Sequence, residues 1–599
     1  MKRLAGVFVL LALLLVSLPA LAPARAAGIL PDEAYDVVVV GAEPEGVAAA
    51  VAAARAGARV LLLERRDGPG GLYTYGWLNS FDMNYGPRGE LLTRGLFAAF
   101  YREAGGTSFD VGEAGRILER WLAGEPRVNA LYGVATVSPL VSATGALTAV
   151  RATVRAGAVV FPARVFVDAT QDADLAASAG APYTLGGEDY GVPEMMAATL
   201  VFKLAGVDWQ AVRRALAADG DAGTDADACS AWGFWREARR YRPGSERLRL
   251  RGLNLGRQRD GSVLVNALQI FGVNGLDASS YREGYSLACR EVPRVVSFLR
   301  QNIPGFGRAR LAGTAPELYI RETRHIKGEY LLTLDDVLGN RCFPDQIAVA
   351  SYPVDVQATN PSNYGWVFGR PKMYGIPLRC LVPLGVDNLF VVGRAASYSS
   401  LAAGSARVVP VGMVTGQAAG VAAALAAGKG VTPRALARDP ALVREVQEVL
   451  RAQGAYLPAF SLAHPVAGHW AYPAVRELQR LGLVAAGYRN HYRLEEQISA
   501  ASFANLAQAA FRRTFPDAKL PPPARKSLPE ERLTLGRARE IVARLLGHYR
   551  PEAPPFRPEH PRLRQRGDAA LLTRAEAYQL AAEALAWAKR IPSPENPYP

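Results

Sequence analysis

The chain has 599 residues, half of them hydrophobic and 21% charged, which excludes a disordered chain and leaves room for several domains. Its formal charge is +14, yet no dense Lys/Arg run with interleaved aromatics occurs, so nucleic-acid binding is not expected. The spread positive charge suits contact with an anionic surface polymer, or is an inert basic surface.

Met1-Lys2-Arg3, an apolar stretch over residues 4–18 and Ala24-Arg25-Ala26 read as a secretory signal peptide over 1–26, with cleavage after Ala26. Its apolar core is short for a membrane span. No later stretch is expected to be long and apolar enough to cross a membrane. The cysteines Cys229, Cys289, Cys342 and Cys380 are far apart with no C-x-x-C. Neither a metal site nor a dithiol centre is indicated, and buried free thiols are expected.

Residues 37–40 are four valines, which suits a strand buried on both faces. Gly41-Ala42-Glu43-Pro44-Glu45-Gly46 turns the chain into a helix of small residues over 47–56, which can lie close to a sheet and is stopped by Gly57. Residues 60–63 form a second buried strand, ended by Glu64 and Arg65. A glycine turn feeding a helix N-terminus holds a pyrophosphate, and an acid about twenty positions on accepts ribose hydroxyls. Gly41, Pro44, Glu45, Gly46, Glu64 and Arg65 are therefore candidate dinucleotide contacts. The middle glycine of G-x-G-x-x-G is replaced by Glu43, whose carboxylate must turn away from the phosphates. An ordinary packing turn is the other reading.

Gly68, Gly70 and Gly71 make a loop that backbone can bring close to a ligand; Tyr73, Thr74, Tyr75 and Trp77 add stacking and hydroxyl groups, or are core. Residues 94–105 and 112–122 read as helices, and 130–160 as a small β-meander. Residues 165–170 read as a further buried strand, with Ala169 at its end, followed by Gln171-Asp-Ala-Asp174 and a short helix. From 186 to 373 the chain is richer in Trp, Tyr and Arg, as expected of an inserted substrate domain. Within it Ile320-Arg-Glu-Thr-Arg-His325 is dense in ionisable groups, and His325 is the one histidine before residue 464. His325, Tyr352 or Asp355 are candidate bases, and Arg321, Arg324 and Arg379 could clamp a carboxylate. Each could equally be structural. Residues 388–394 form another buried strand ending in Gly393 and Arg394, and Pro410-Val-Gly412 opens a helix carrying Gly416 and Gly420.

With these pieces in place, residues 34–430 resemble the FAD-dependent oxidoreductase family of the glutathione-reductase-type flavoprotein fold. Four blocks carry the resemblance: 35–71; 165–177, where Gln171 replaces the glycine of A-T-G-D; 321–336 with Ser351-Tyr-Pro-Val-Asp355; and 374–377 through 388–394 to Gly404-Ser-Ala-Arg-Val-Val-Pro410 and Gly416-Gln-Ala-Ala-Gly420. The resemblance implies an α/β fold. A Rossmann-like FAD domain would be split into 34–185 and 374–430 around an α+β substrate domain at 186–373. Gly41, Gly46 and Glu64 would hold the ADP half, and Gly70 and Gly71 would lie near the pyrophosphate or flavin. Gly393 and Arg394 would reach the ribityl-pyrophosphate region, although many relatives carry an acid where Arg394 stands. Arg407 and the helix at Gly412 would face the isoalloxazine, where a helix N-terminus favours developing negative charge. No second complete dinucleotide fingerprint occurs. Direct reduction of FAD by an organic substrate is expected, with hydride passing to N5 and a base taking a proton.

Residues 431–463 read as a linker. Beyond it, His464-Pro-Val-Ala-Gly-His469-Trp470, an amphipathic helix to Leu481, and Ile498-Ser-Ala-Ala-Ser-Phe503 resemble one S-layer homology repeat. Weaker echoes lie at 533–537 and 572–576, with proline-rich linkers at 521–523 and 551–561. The resemblance implies an all-α region over 464–599 that binds an anionic cell-wall polymer through the arginine of T-R-A-E. That arginine survives as Arg574, while Ala500 and Ser502 replace the Arg and Glu of the first copy. The expectation is thus an exported, surface-tethered FAD enzyme acting on a small organic substrate. The alternatives are a surface protein that keeps the fold without catalysis, and a tail that merely packs on the enzyme.

Overall fold

The computed structural model describes residues 35–518, 520, 531–549 and 554–591; the expected signal peptide and the linker at 521–523 lie outside the described residues. Five parallel strands make the first sheet, in the order Val128–Leu131, Val60–Leu63, Tyr35–Val40, the C-terminal half of Gly157–Asp168, and Leu389–Val391. Val40 and Val391 both pair with Asp168. Parallel register therefore brings Gly41, Ala169 and Gly393 to one edge of the sheet. The N-terminal half of Gly157–Asp168 belongs instead to an antiparallel meander with Leu147–Val154 and Thr136–Val141.

The helix Pro44–Arg55 packs along the helix Val409–Lys429. A Cβ added at Gly416 would lie 2.2 Å from the Glu45 carbonyl oxygen, and one at Gly420 2.1 Å from the Ala49 carbonyl oxygen. Glycines four apart thus let two backbones meet directly. Val409–Lys429 corrects one expectation: it is long and apolar enough to cross a membrane, but 94% of its apolar window is buried within the protein. It is hydrophobic all round because protein encloses it on every side.

The second sheet is antiparallel and six-stranded, in the order Arg310–Thr314, Ala198–Ala205, Val263–Ile270, Leu248–Arg257, Ser230–Gly233 and Asp225–Ala226. The helix Ala278–Asn302 contributes Val292, Val295 and Leu299 to its core, which reaches as far as Ile320. Residues 332–374, grouped by composition with this domain, pack into the first core, and Gln346–Ala350 pairs with Tyr374–Pro377. The stretch expected as a linker also joins that core, through Leu436, Val443, Val446 and Leu450.

The C-terminal helices Tyr472–Arg480, Ala500–Thr514, Leu535–Tyr549 and Arg574–Lys589 share a separate core around Leu478, Phe503, Val542 and Leu580. Three short segments bridge in a closed ring: Gln497 with Thr573, Ser499 with Arg532, and Thr534 with Leu571. The Ser499, Thr534 and Thr573 hydroxyls each accept from the N–H three residues on, so one start signal recurs at three helices. This unit docks on the rest of the chain. Arg476 and Arg480 pair with Asp335, and the Ala486 and Gly487 N–H groups donate to the Phe368 and Val367 carbonyls at 3.1 and 2.9 Å.

Gly416→Val is expected to force the two central helices apart and to destabilise the protein by at least about 2 kcal/mol, read as a lower midpoint in urea unfolding. Gly428→Ala, where an added Cβ meets nothing within 4 Å, is expected to leave the midpoint unchanged or slightly raised.

Candidate functional site

A cavity of about 640 Å³ opens at the C-terminal edge of the parallel strands, where Gly41, Glu64, Arg65 and Arg394 all line it. Gly41 has φ +99°, and a Cβ there would lie 2.6 Å from the Ala169 carbonyl oxygen. One at Gly46 would lie 1.9 Å from the Gly41 carbonyl oxygen. Neither position admits a side chain. The Glu64 carboxylate accepts from the Ala42 N–H at 2.5 Å and the Arg66 N–H at 2.8 Å, which fixes the acid against the glycine turn.

Glu43 is buried at the lining of the cavity. Its carboxylate accepts from the Leu72 N–H at 2.9 Å and pairs with Arg66 at 2.9 Å. Burial works to raise its carboxyl, against the opposing pull of Arg66, and the net direction is upward. A Cβ at Gly71 would run into this carboxyl group, so Gly71 makes room for Glu43. Gly70, at φ +103°, meets Thr74. Arg66, absent from the sequence candidates, also pairs with Glu64 at 3.3 Å and with Glu317 at 2.7 Å.

On the opposite side of the edge, Gly393 has φ +79°. Arg394 donates to the Ile320 carbonyl at 2.5 Å and to Asp172 at 2.6 Å. Burial pushes the Asp172 carboxyl upward, but Arg394 and the Thr323 hydroxyl hold it below its ordinary value. Asp172, from the loop after Ala169, is thus the acid that Arg394 holds at this edge. Glu45 lies beneath this edge, 3.6 Å from where a Gly393 Cβ would stand. Gly412 makes room for the same side chain. One Glu45 carboxyl oxygen has no protein partner among the described residues. Burial, reinforced by Glu43, pushes this carboxyl up to about 8.

A second cluster joins Arg321, Tyr352, Asp355 and Arg407. Arg407 meets the Tyr319 hydroxyl at 3.1 Å and the Asp355 carbonyl at 3.4 Å. Arg321 stacks on the Tyr319 ring at 4.0 Å and donates to the Ala197 carbonyl and Thr199 hydroxyl, both at 2.8 Å. Burial lowers its guanidinium to about 10. Tyr352 bonds to Asp82; burial raises the Asp82 carboxyl and carries the Tyr352 hydroxyl well above its ordinary value. Asp82 escaped the sequence reading, although it sits in the aromatic loop already singled out. The Asp355 carboxylate accepts from the Gln357 amide at 2.9 and 2.8 Å and lines a second cavity of about 370 Å³.

The remaining candidates lie elsewhere. Arg324 lines the first cavity, bonded to the Asp172 carbonyl at 2.7 Å and to Asp174 at 2.8 Å. His325, its neighbour on the strand Arg324–Ile326, lines neither of the two cavities. Its Nε2 lies 3.0 Å from Glu322, which also accepts from the Ser400 hydroxyl. Arg379 pairs with Asp345 at 2.8 Å.

The first cavity fits a dinucleotide. Gly41 and Arg394, the residue after Gly393, line it together, the first helix starts at this edge, and Arg65 adds positive charge for a diphosphate. Residues 36–450 match the family described as FAD dependent oxidoreductase, and the chain belongs to that family. It is an FAD-dependent oxidoreductase, with FAD as its cofactor. No curated protein sequence matches it at a significant level. Among solved structures it is similar to a geranylgeranyl bacteriochlorophyll reductase-like protein of Thermoplasma acidophilum, at 13% identity and TM-score 0.34 over 70% of this chain and 84% of that one. It is also similar to the p-nitrophenol 4-monooxygenase PnpA of Pseudomonas putida DLL-E4, at 11% identity and TM-score 0.33 over 77% and 96%. A third likeness is the myxobacterial chondrochloren halogenase CndH, at 14% identity and TM-score 0.32 over 94% and 99%. These likenesses are too distant to carry an activity.

The Glu45 carboxyl gives a signed pH dependence. Between about 4.5 and about 8 the folded protein keeps a proton that the unfolded chain releases, so rising pH removes stability across that window. Glu45→Gln is expected to flatten that part of the decline, measured as the melting temperature of FAD-free protein against pH.

Proposed function

We propose that this enzyme oxidises a small organic substrate at its FAD, and that it is exported and tethered at the cell surface by its C-terminal region. The observation that carries the catalytic reading is that Gly41 and Arg394, the residue after Gly393, line one cavity. A buried polar cluster continues from there: Ile320 lines the first cavity, Arg321 and Tyr319 follow it in contact, and Arg407 joins Tyr319 to Asp355 at the second cavity. FAD, when bound, supplies a ring that takes two electrons and a proton as hydride at N5.

The chain's own residues do the rest. Asp355 presents a carboxylate to the second cavity, where it can take the proton that a substrate hydroxyl or amine loses. The Gln357 amide fixes the orientation of that carboxylate. Arg321 and Arg407 keep the surroundings positive, and the Asp82–Tyr352 pair keeps a proton on the Tyr352 oxygen. Protein encloses both Arg321 and Arg407, which keeps water from their guanidinium groups. One observation favours a non-catalytic reading: the Glu43 carboxylate occupies the turn nearest the expected diphosphate. That reading requires that no metabolite bleach the bound flavin.

The tether is supported by the closed ring of three short segments, each leading into a helix, and by an open groove at Arg574. Arg489, Arg493, Trp366 and Tyr578 share that groove. Cations beside aromatic faces suit an anionic glycopolymer.

Purified protein is expected to carry flavin absorbance, and anaerobic mixing with a metabolite panel to bleach it. Absence of flavin bands, with no gain on adding FAD, would overturn the enzyme reading. Asp355→Asn is expected to slow bleaching about 10²–10⁴-fold with FAD content unchanged. Arg574→Ala is expected to reduce co-sedimentation with purified cell walls without altering flavin absorbance; undiminished co-sedimentation refutes the tether.

A further inference from the structure

We propose that the second cavity is the substrate site, that it takes a small molecule bearing a carboxylate on a ring, and that the C-terminal region supplies one of its walls. The proposal rests on the reading of the chain as a catalytic flavoprotein. The cavity lies between the strand Leu248–Arg257, the loop carrying Asp355 and Tyr364, and Tyr488 from the C-terminal region. Its volume, about 370 Å³, suits one or two rings and excludes a polymer from its interior.

Two cations of the strand, Arg249 and Arg251, both line this space. Arg249 donates to the Gln269 side-chain oxygen at 2.7 Å and to the Asn363 carbonyl at 2.5 Å. Arg251 donates to the Gln357 side-chain oxygen at 2.8 Å. Both partners are neutral. Among the described residues no carboxylate lies within ion-pair distance of either guanidinium, whereas Arg66, Arg394 and Arg434 elsewhere all have one. Burial holds Arg249 below its ordinary value. A half-buried cation without a counter-ion is unfavourable, and a bidentate carboxylate is the group that matches a guanidinium fork. Asp355, the acid at this cavity, bonds to the Gln357 amide and forms no ion pair with either arginine, so its charge is not in contact with theirs.

Aromatic faces define the other half of the ligand. Tyr364 is 65% exposed, Trp366 60% and Tyr488 59%, and all three line this cavity. Exposed large aromatics gathered at one mouth mark a binding surface. Tyr364 already stacks under Arg249 at 4.5 Å, which holds the cation beside a flat face. A ring seated among these side chains would place its carboxylate on the arginine pair and its remaining substituents toward Asp355. Tyr488 is fixed from outside the flavoprotein part, because the Ala486 and Gly487 N–H groups hold its segment to Phe368 and Val367. The wall is therefore lost if the C-terminal region leaves.

Calorimetric titration of the full-length, FAD-loaded protein tests this, with galacturonate and benzoate each compared with the neutral galactose and benzyl alcohol. At least one acid is expected to bind where its neutral counterpart does not. Arg249→Gln and Arg251→Gln are expected to weaken that binding about tenfold or more, and Tyr488→Ala several-fold, with flavin absorbance retained. Arg251→Lys guards against misfolding, since it keeps the charge and loses the fork; it is expected to retain flavin and to bind the acid more weakly. Equal binding of acid and neutral probe, binding of neither acid, or undiminished binding by the arginine variants overturns the proposal. Acid binding by protein that cannot hold FAD would instead refute the catalytic reading and leave the anion site standing.

Discussion

The backbone contact between Pro44–Arg55 and Val409–Lys429 is the constraint from which the cofactor site follows. Gly416 and Gly420 lie against the Glu45 and Ala49 carbonyls, at distances that leave no volume for even a methyl group. Because the two helices start at the same edge of the parallel sheet, their approach sets the Gly41 turn beside the Gly393 turn. The cavity is the space left over when those turns cannot close further. A larger residue anywhere along the seam would move one half of the cofactor site away from the other, although the strands themselves would still pair.

That close approach has an electrostatic consequence. Glu43 and Glu45 stand in the turn where small residues would otherwise let a phosphate approach, and neither reaches solvent. The fold answers the two acids differently. Glu43 is drawn to Arg66, which also serves Glu64 and Glu317, so one guanidinium organises three carboxylates around the mouth of the site. Glu45 has no such cation in contact and instead keeps its proton. Across the edge, Arg394 and Asp172 form a pair in which both charges are satisfied. A diphosphate would thus meet a rim whose charges are largely spoken for, Arg324 by Asp174 and Arg394 by Asp172, with Arg65 left to receive it.

The parts legible in the sequence are those whose signal is local. Four valines, a glycine turn and an alanine-rich helix announce the first unit because a strand buried on both faces and a tight turn each require those residue types in succession. Gly393 was legible for the same reason. What stayed hidden depends on chain segments far apart in sequence. Arg66 matters through Glu317, Arg249 through Asn363, and Asp82 through Tyr352. His325 drew attention as an isolated titratable residue, but strand alternation sends it away from the face that Arg324 occupies. The change in composition near residue 186 marked where the second sheet begins. It could not mark where its core ends, since residues 332–374 share the aromatic and arginine content of that domain while packing into the other one. Val409–Lys429 has the composition of a membrane span, and only its enclosure by neighbouring elements distinguishes the two.

The C-terminal region gains a different significance from its docking. A tether joined by a free linker would leave the enzyme to tumble, and the contacts it made with the catalytic part would be incidental. Here the chain between the two parts is built into the first core, Asp335 accepts two arginines from the first C-terminal helix, and Tyr488 stands in the wall of the second cavity. The groove at Arg574 shares Trp366 and Tyr488 with that cavity. Whatever occupies the groove therefore touches residues that also shape the cavity. On the proposed reading, attachment to an anionic polymer and access of substrate are coupled through those two aromatic side chains, because neither can move to suit one ligand without altering the surface offered to the other.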